Sequence, residues 1–107
     1  MKDYCFVVST KPVAGQETEY NRWYDTQHLP DVLAVPGVVS ARRFAAEVDG
    51  ETRYLALYQM NTDNPEGVLA ELTARSGTDR MPMSPALDIA GVSAILYEAI
   101  GPARNAD

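Results

Sequence analysis

This chain has one histidine, one cysteine, one tryptophan and two lysines in 107 residues. Each scarcity closes off a class of function. A lone cysteine, Cys5, cannot form an internal disulfide, and its apolar neighbours predict a buried core thiol rather than a reactive one. One histidine and one cysteine make no zinc cluster, and no loop carries the spaced acids of a calcium site, so no metal is expected. Lys2 and Lys11 are too few for a basic stripe. With a formal charge of −6, the chain is expected to bind neither nucleic acid nor an anionic membrane. No apolar run approaches the roughly 20 residues that span a bilayer. The segment after Met1 lacks the apolar core and small-residue cleavage site of a signal peptide, and the expectation is a soluble, cytoplasmic protein. No Gly-rich phosphate loop and no Gly-x-Ser-x-Gly elbow is present, so no nucleotide cofactor is expected.

The length and the 46% hydrophobic content fit one domain with one core. That domain is placed at residues 1–101, with 102–107 as a disordered tail. A domain this small buries roughly 60–70% of its unfolded surface, so an oligomer is in keeping with it.

Tyr4 to Val8 reads as a strand with two apolar faces, hence a central one. Gln16 to Leu29 reads as a helix whose buried face is Tyr20, Trp23, Tyr24, Gln27 and His28. Pro30 predicts that this helix bends or stops at Leu29, and it can also open a new short turn with Asp31 in its first positions. Val38 to Glu47 and Arg53 to Met60 read as a hairpin around Asp49-Gly50, a pair that tolerates the positive φ of a type I′ turn. Asn64-Pro65-Glu66 opens a second helix with the stripe Val68, Leu69 and Leu72, closed by Gly77. Thr78 to Gly91 has no period and is equally open to a lid or to packed coil. Val92 to Ile100 reads as the last strand.

The order β-α-β-β-α-β predicts a ferredoxin-like α+β domain: a four-stranded antiparallel sheet with two helices on one face. Either Tyr54 and Tyr58 or Leu55 and Leu57 must lie on the face that no helix covers. Pairing with a second copy of the chain is the simplest cover for it.

His28 is the only side chain whose ordinary pKa lies near neutrality. Asp25, Asp31 and a helix C-terminus would favour its charged form, and burial would oppose it. The residue pattern leaves that balance open, along with the alternative that His28 merely caps the bend at Pro30. Tyr24 lies one turn before it and Asp25 at i−3, where a carboxylate can hold a ring tautomer. Asn21 and Trp23 share the segment. Arg42 and Arg43 face opposite sides of a strand, so at most one can reach a helix-side cavity. Tyr54 and Tyr58 are candidate cavity walls or dimer contacts, and Met81 and Met83 a pliable apolar cover.

The stretch Asn21-x-Trp23-Tyr24-Asp25-x-x-His28-Leu29-Pro30-Asp31, followed by Val35-Pro36-Gly37 and Ala41-Arg42-Arg43-Phe44, resembles the EthD-like group of dimeric α/β barrel proteins. The motif covers about the first 45 residues, and the element order covers the chain. The resemblance implies a homodimer with facing sheets, and a cavity between sheet and helices into which the histidine points. The wider superfamily holds polyketide cyclases, monooxygenases without cofactor, lactone isomerases, decarboxylases and haem-degrading enzymes.

The first expectation is an enzyme without cofactor, doing acid–base chemistry on a small aromatic, polyketide-like or lactone molecule. His28, Tyr24 and Asp25 would be its catalytic group. Asn21, Trp23, Arg42, Arg43, Tyr54, Tyr58, Met81 and Met83 would bind its substrate. A non-catalytic dimer that holds a hydrophobic metabolite is the second expectation, and a monooxygenase without cofactor the third. A haem held by His28 is a lesser alternative that the resemblance admits.

Overall fold

The computed structural model describes residues 1–106. Its elements are β1 (Lys2–Thr10), α1 (Glu17–Trp23), a π turn (Tyr24–His28), α2 (Leu29–Leu33), β2 (Val38–Val48), β3 (Glu51–Thr62), α3 (Pro65–Arg75), a 3-10 turn (Ile89–Gly91) and β4 (Ser93–Glu98). The strands form one antiparallel sheet in the order β2-β3-β1-β4. This is the ferredoxin-like α+β fold, with β1 in the interior of the sheet as its two apolar faces require. The hairpin turns on Asp49 at φ 53 and Gly50 at φ 80, both positive, and brings Val48 opposite Glu51.

Alternation along the strands divides the sheet into two faces. Tyr4, Ala56, Tyr58 and Met60 meet Tyr20, Trp23, Tyr24 and Val68 in the core. α3 starts where predicted, with Asn64 Oδ1 accepting from the Gly67 N–H at 3.0 Å. The turn before β2 is built for that helix: Gly37 has φ +101, and a Cβ there would stand 2.7 Å from Val68 Cγ2. Residues 102–106 are exposed and have no regular structure. The rest of the expected disordered tail, Asp107, lies outside the described residues.

The first helix does not stop at Pro30; a new turn opens there with Asp31 in its first positions, the other course the sequence allowed. The Leu29 N–H donates to the Tyr24 carbonyl five residues back, and α2 follows with Pro30 in its first positions. Proline lacks an N–H and crowds the carbonyl four residues earlier. A widened turn just ahead of it accommodates both defects and lets the helix run on.

Residues 78–91, which the sequence left open between a lid and packed coil, are packed coil. Met81, Ala86 and Leu87 are buried in the core, Leu87 bridges to Pro12, and the Trp23 indole donates to the Pro82 carbonyl at 3.1 Å. Finally, Cys5 is not a core thiol. It is half-buried on the sheet face away from the helices, where burial pushes its thiol pKa up.

That far face also carries Leu55, Leu57 and Arg42 on β2 and β3, with Val7 on β1. Phe44, Ile95 and Tyr97 remain 43%, 50% and 52% exposed on it. Of the two pairs offered by the sequence, the leucines are on the open face and Tyr54 and Tyr58 on the helix side.

Candidate functional site

The π turn ends on His28. A plain α-helix turns about 100° per residue, so Val32 would lie about 120° round from Tyr20. The extra residue in the widened turn brings α2 back onto the buried face. As a result Tyr20, Trp23, Tyr24, His28 and Val32 all look inward, and His28 is partly buried beneath two rings. Its imidazole stacks on Trp23 at 4.6 Å between centroids and 27° between planes. Tyr24 meets it edge-on at 5.1 Å and 90°. The Nδ1 atom is buried and has no hydrogen-bond partner.

Burial decides the balance that the sequence left open. It lowers the His28 pKa from 6.5 to about 4, against a smaller raising influence of Asp31. Two of the expected stabilisers of the charged ring do not act on it. The helix continues to Leu33, so His28 is not at a C-terminus, and Asp25 turns away. Asp31 is itself engaged by the Gln27 side-chain amide at 2.6 Å. The ring is therefore neutral near pH 7, with a nitrogen able to accept a proton or bind a metal centre.

His28 lines a cavity of about 460 Å³ between the sheet and the helices, within the roughly 300–1,000 Å³ of small-molecule sites. Phe6, Val8 and Tyr58 form its sheet wall, Leu72 its α3 wall, and Met81 and Met83 its rim. No lysine or arginine lines it. Another cavity, of about 480 Å³, lies along the sheet end by Lys11, Phe44 and Arg53, away from His28. It is lined by neither of the residues, His28 and Tyr58, that carry unpartnered buried polar atoms.

The residues predicted for one site fall into separate places. His28, Tyr58, Met81 and Met83 share the cavity. Trp23 and Tyr24 are core residues that support the imidazole from behind. Asn21, Asp25, Arg43 and Tyr54 form a polar cluster outside the cavity lining. Arg43 donates to Asp25 at 2.8 Å and to Asn21 at 2.8 Å, and it lies 4.4 Å from the centre of the Tyr24 ring. Tyr54 donates to Glu17 at 2.6 Å. Arg43 does point to the helix side, but Asp25, Asn21 and the tyrosine rings already occupy it, so it is not free to hold a ligand oxygen. For the same reason Asp25 is not a tautomer anchor for His28. Arg42 is exposed on the open sheet face, over Phe44 at 5.4 Å.

The sequence reading missed the hydrophobic walls from β1 and α3. Their signal was present, in the alternation Phe6-x-Val8 and in the stripe that includes Leu72, but it served there only to define a core. Among the described residues no group of three or more His, Cys, Asp or Glu side chains converges, and no helix is long and apolar enough to cross a membrane.

No protein-family model matches the chain, and no curated protein matches it by sequence. The fold does have solved neighbours. One is the haem degrader MhuD of Mycobacterium tuberculosis with two haems in its active site, similar at TM-score 0.64 and 18% identity over 94% of this chain and 99% of that one. Another is an arginine-to-serine variant of MhuD with two manganese protoporphyrin IX per active site, at TM-score 0.63 and 18% identity over 95% and 99%. At that identity the likeness shows the fold alone. The neighbours are dimeric α/β barrel proteins, and the narrower EthD-like resemblance is not shown by them. They do overturn the first functional expectation. These two neighbours hold porphyrins in their active sites, which conflicts with the expectation of an acid–base enzyme free of any cofactor.

Proposed function

We propose that this chain works as a homodimer that takes a flat, conjugated ring molecule into the cavity beside His28 and catalyses its oxygenation. The observation that carries the reading is a neutral histidine at the wall of an apolar cavity. The porphyrin-binding neighbours supply the ligand class.

Haem is one member of that class, and the site fits it in two respects. The imidazole is uncharged and lines the cavity, and the walls are apolar. Because no cation lines the cavity, the two haem carboxylates would reach solvent at its mouth. Bound haem would supply iron-centred oxygen activation. The chain would contribute the imidazole, its aromatic support and the exclusion of water.

A hydroxylated aromatic is the other member and needs no metal. His28 would take the phenolic proton, and the electron-rich anion would react with dioxygen. One ring C–H and the C–OH become two carbonyls, one oxygen atom stays in the product, and the other leaves as water. His28 is the catalytic residue in that arm.

Two titrations test the reading. Haemin added to the protein is expected to give a shifted Soret band that saturates and that His28→Ala loses. In the other arm, oxygen uptake with 1-naphthol is expected, with His28→Ala slower by roughly 10²–10⁴-fold. Binding without any oxygen uptake, with 1-naphthol or with haemin supplied with an external electron donor such as ascorbate, would leave a metabolite-holding protein and sink the oxygenase. Failure of both ligands to bind would sink the flat-ring site itself.

A further inference from the structure

Among the described residues, two buried side-chain polar atoms have no hydrogen-bond partner: His28 Nδ1 and the Tyr58 hydroxyl. Both residues line the same cavity. Tyr58 is 2% exposed, on the helix face of β3, opposite Phe6 on β1 and Ala41 on β2. Its ring packs on Phe6 at 6.3 Å between centroids. Burial pushes its phenol well above the ordinary tyrosine range, and the Tyr24 hydroxyl, close enough to act on it in the same direction but outside hydrogen-bond geometry, does not satisfy it, so the hydroxyl keeps its proton and remains a donor.

An unpaired buried hydroxyl is unfavourable in the empty protein, and a phenylalanine would fill the same space without it. Such a group has a use when a ligand atom completes it. A pocket that hydrogen-bonds a ligand oxygen rejects the analogue lacking that oxygen far more strongly than an apolar pocket rejects a misfit.

We propose that the Tyr58 hydroxyl reads oxygen in this cavity. It donates a hydrogen bond to a hydroxyl or carbonyl oxygen on the aromatic ligand, and so selects oxygenated ring systems over plain aromatic hydrocarbons. This rests on the reading of the cavity as a flat-ring site and narrows its substrate class. Tyr58 is a specificity residue, on the wall opposite the helices that carry His28.

The test is equilibrium dialysis of the whole protein and of Tyr58→Phe against 1-naphthol and naphthalene, together with a thermal melt of each protein without ligand. The expected preference of the wild type for 1-naphthol over naphthalene falls by roughly tenfold or more in Tyr58→Phe, while naphthalene binding is kept. The variant is expected to melt at the same temperature as the wild type or higher. An unchanged preference with both ligands bound overturns this inference and leaves the flat-ring site standing. A lower melting temperature, or a variant that does not fold, shows the hydroxyl paired within the protein and also overturns it. If neither ligand binds the wild type, the flat-ring site falls and this inference with it.

Discussion

At the scale of single residues, the chemistry turns on how little solvation His28 receives. Trp23 covers one face of the ring, Tyr24 meets it edge-on, and Nδ1 is sealed off. A charge there would have Asp31 as its only noted helper, and that carboxylate is shared with Gln27. The folded pKa of about 4 lies below the ordinary 6.5 of the unfolded chain. Between those values the unfolded state binds a proton that the folded state does not, so stability rises with pH through this window and levels off above it. The amount lost on acidifying from pH 6.5 to 4 is on the order of 2–3 kcal/mol. In denaturant melts the wild type should therefore lose more stability over this window than His28→Gln, which has no proton to gain. Carboxylates titrate in both proteins and cancel in the comparison. Parallel profiles for the two proteins would refute a neutral buried ring. Because the chain has a single histidine, its ring-proton resonance gives an independent reading, expected to stay flat from pH 8 down to about pH 5.

At the scale of elements, the π turn is what places that residue. Tyr20 and Val32 are twelve residues apart. Only with one extra residue in the helix do they share a face, by the 100°-per-residue arithmetic above. Thr26 is an exposed member of the turn, and its hydroxyl donates only to the Arg22 carbonyl at 2.6 Å. Deleting Thr26 would make Tyr20 and Val32 eleven residues apart, about 20° from alignment in a plain α-helix. The expected variant folds with equal or higher melting temperature, since the regular helix is restored. The turn that positions His28 against Trp23 and Tyr24 is lost with it, and haemin or 1-naphthol binding is expected to fall. If the deletion keeps full binding, the widened turn has no part in the site.

The same turn marks where the sequence stopped being legible. The strands, the Asp49-Gly50 hairpin and the Asn64-Pro65 helix start could be read because each depends on local chemistry, namely alternation, positive φ and capping. The fate of Pro30 depends on whether the core rewards a continued helix, and no local signal states that. Asp25 and Arg43 stand 18 positions apart, and their pairing at 2.8 Å exists only once β2 lies under the helices. For this reason Asp25 and Arg43 read as site residues and turned out to belong to a separate cluster. His28 and Tyr58 could be named from the sequence, but their meeting at one cavity is a product of the sheet register.

At the scale of the whole molecule, the sheet remains half clothed. Its helix side is packed, while the far side presents Phe44, Ile95 and Tyr97 partly exposed, with Leu55 and Leu57 between them on β3. Contiguous apolar surface of this kind, if left to water, marks an interface. A sheet facing a second copy of itself buries the row on both partners through one two-fold axis. Arg42 on that face lies over Phe44 instead of holding an acid. The protein is thus expected to run as a dimer, at twice 11.7 kDa, in light scattering coupled to size exclusion. Ile95 is half exposed and pairs with Val7 in the outward row, so Ile95→Asp should leave the chain folded and shift it to monomer. A variant that stays dimeric, or a wild type that is monomeric at micromolar concentration, would remove the sheet-to-sheet pairing. Since the His28 cavity opens on the helix side, a folded Ile95→Asp monomer that still binds haemin would further show that each subunit carries its own site. Loss of binding together with the dimer would instead mean that the partner's sheet is needed to hold β1 and its Phe6 and Val8 wall in place.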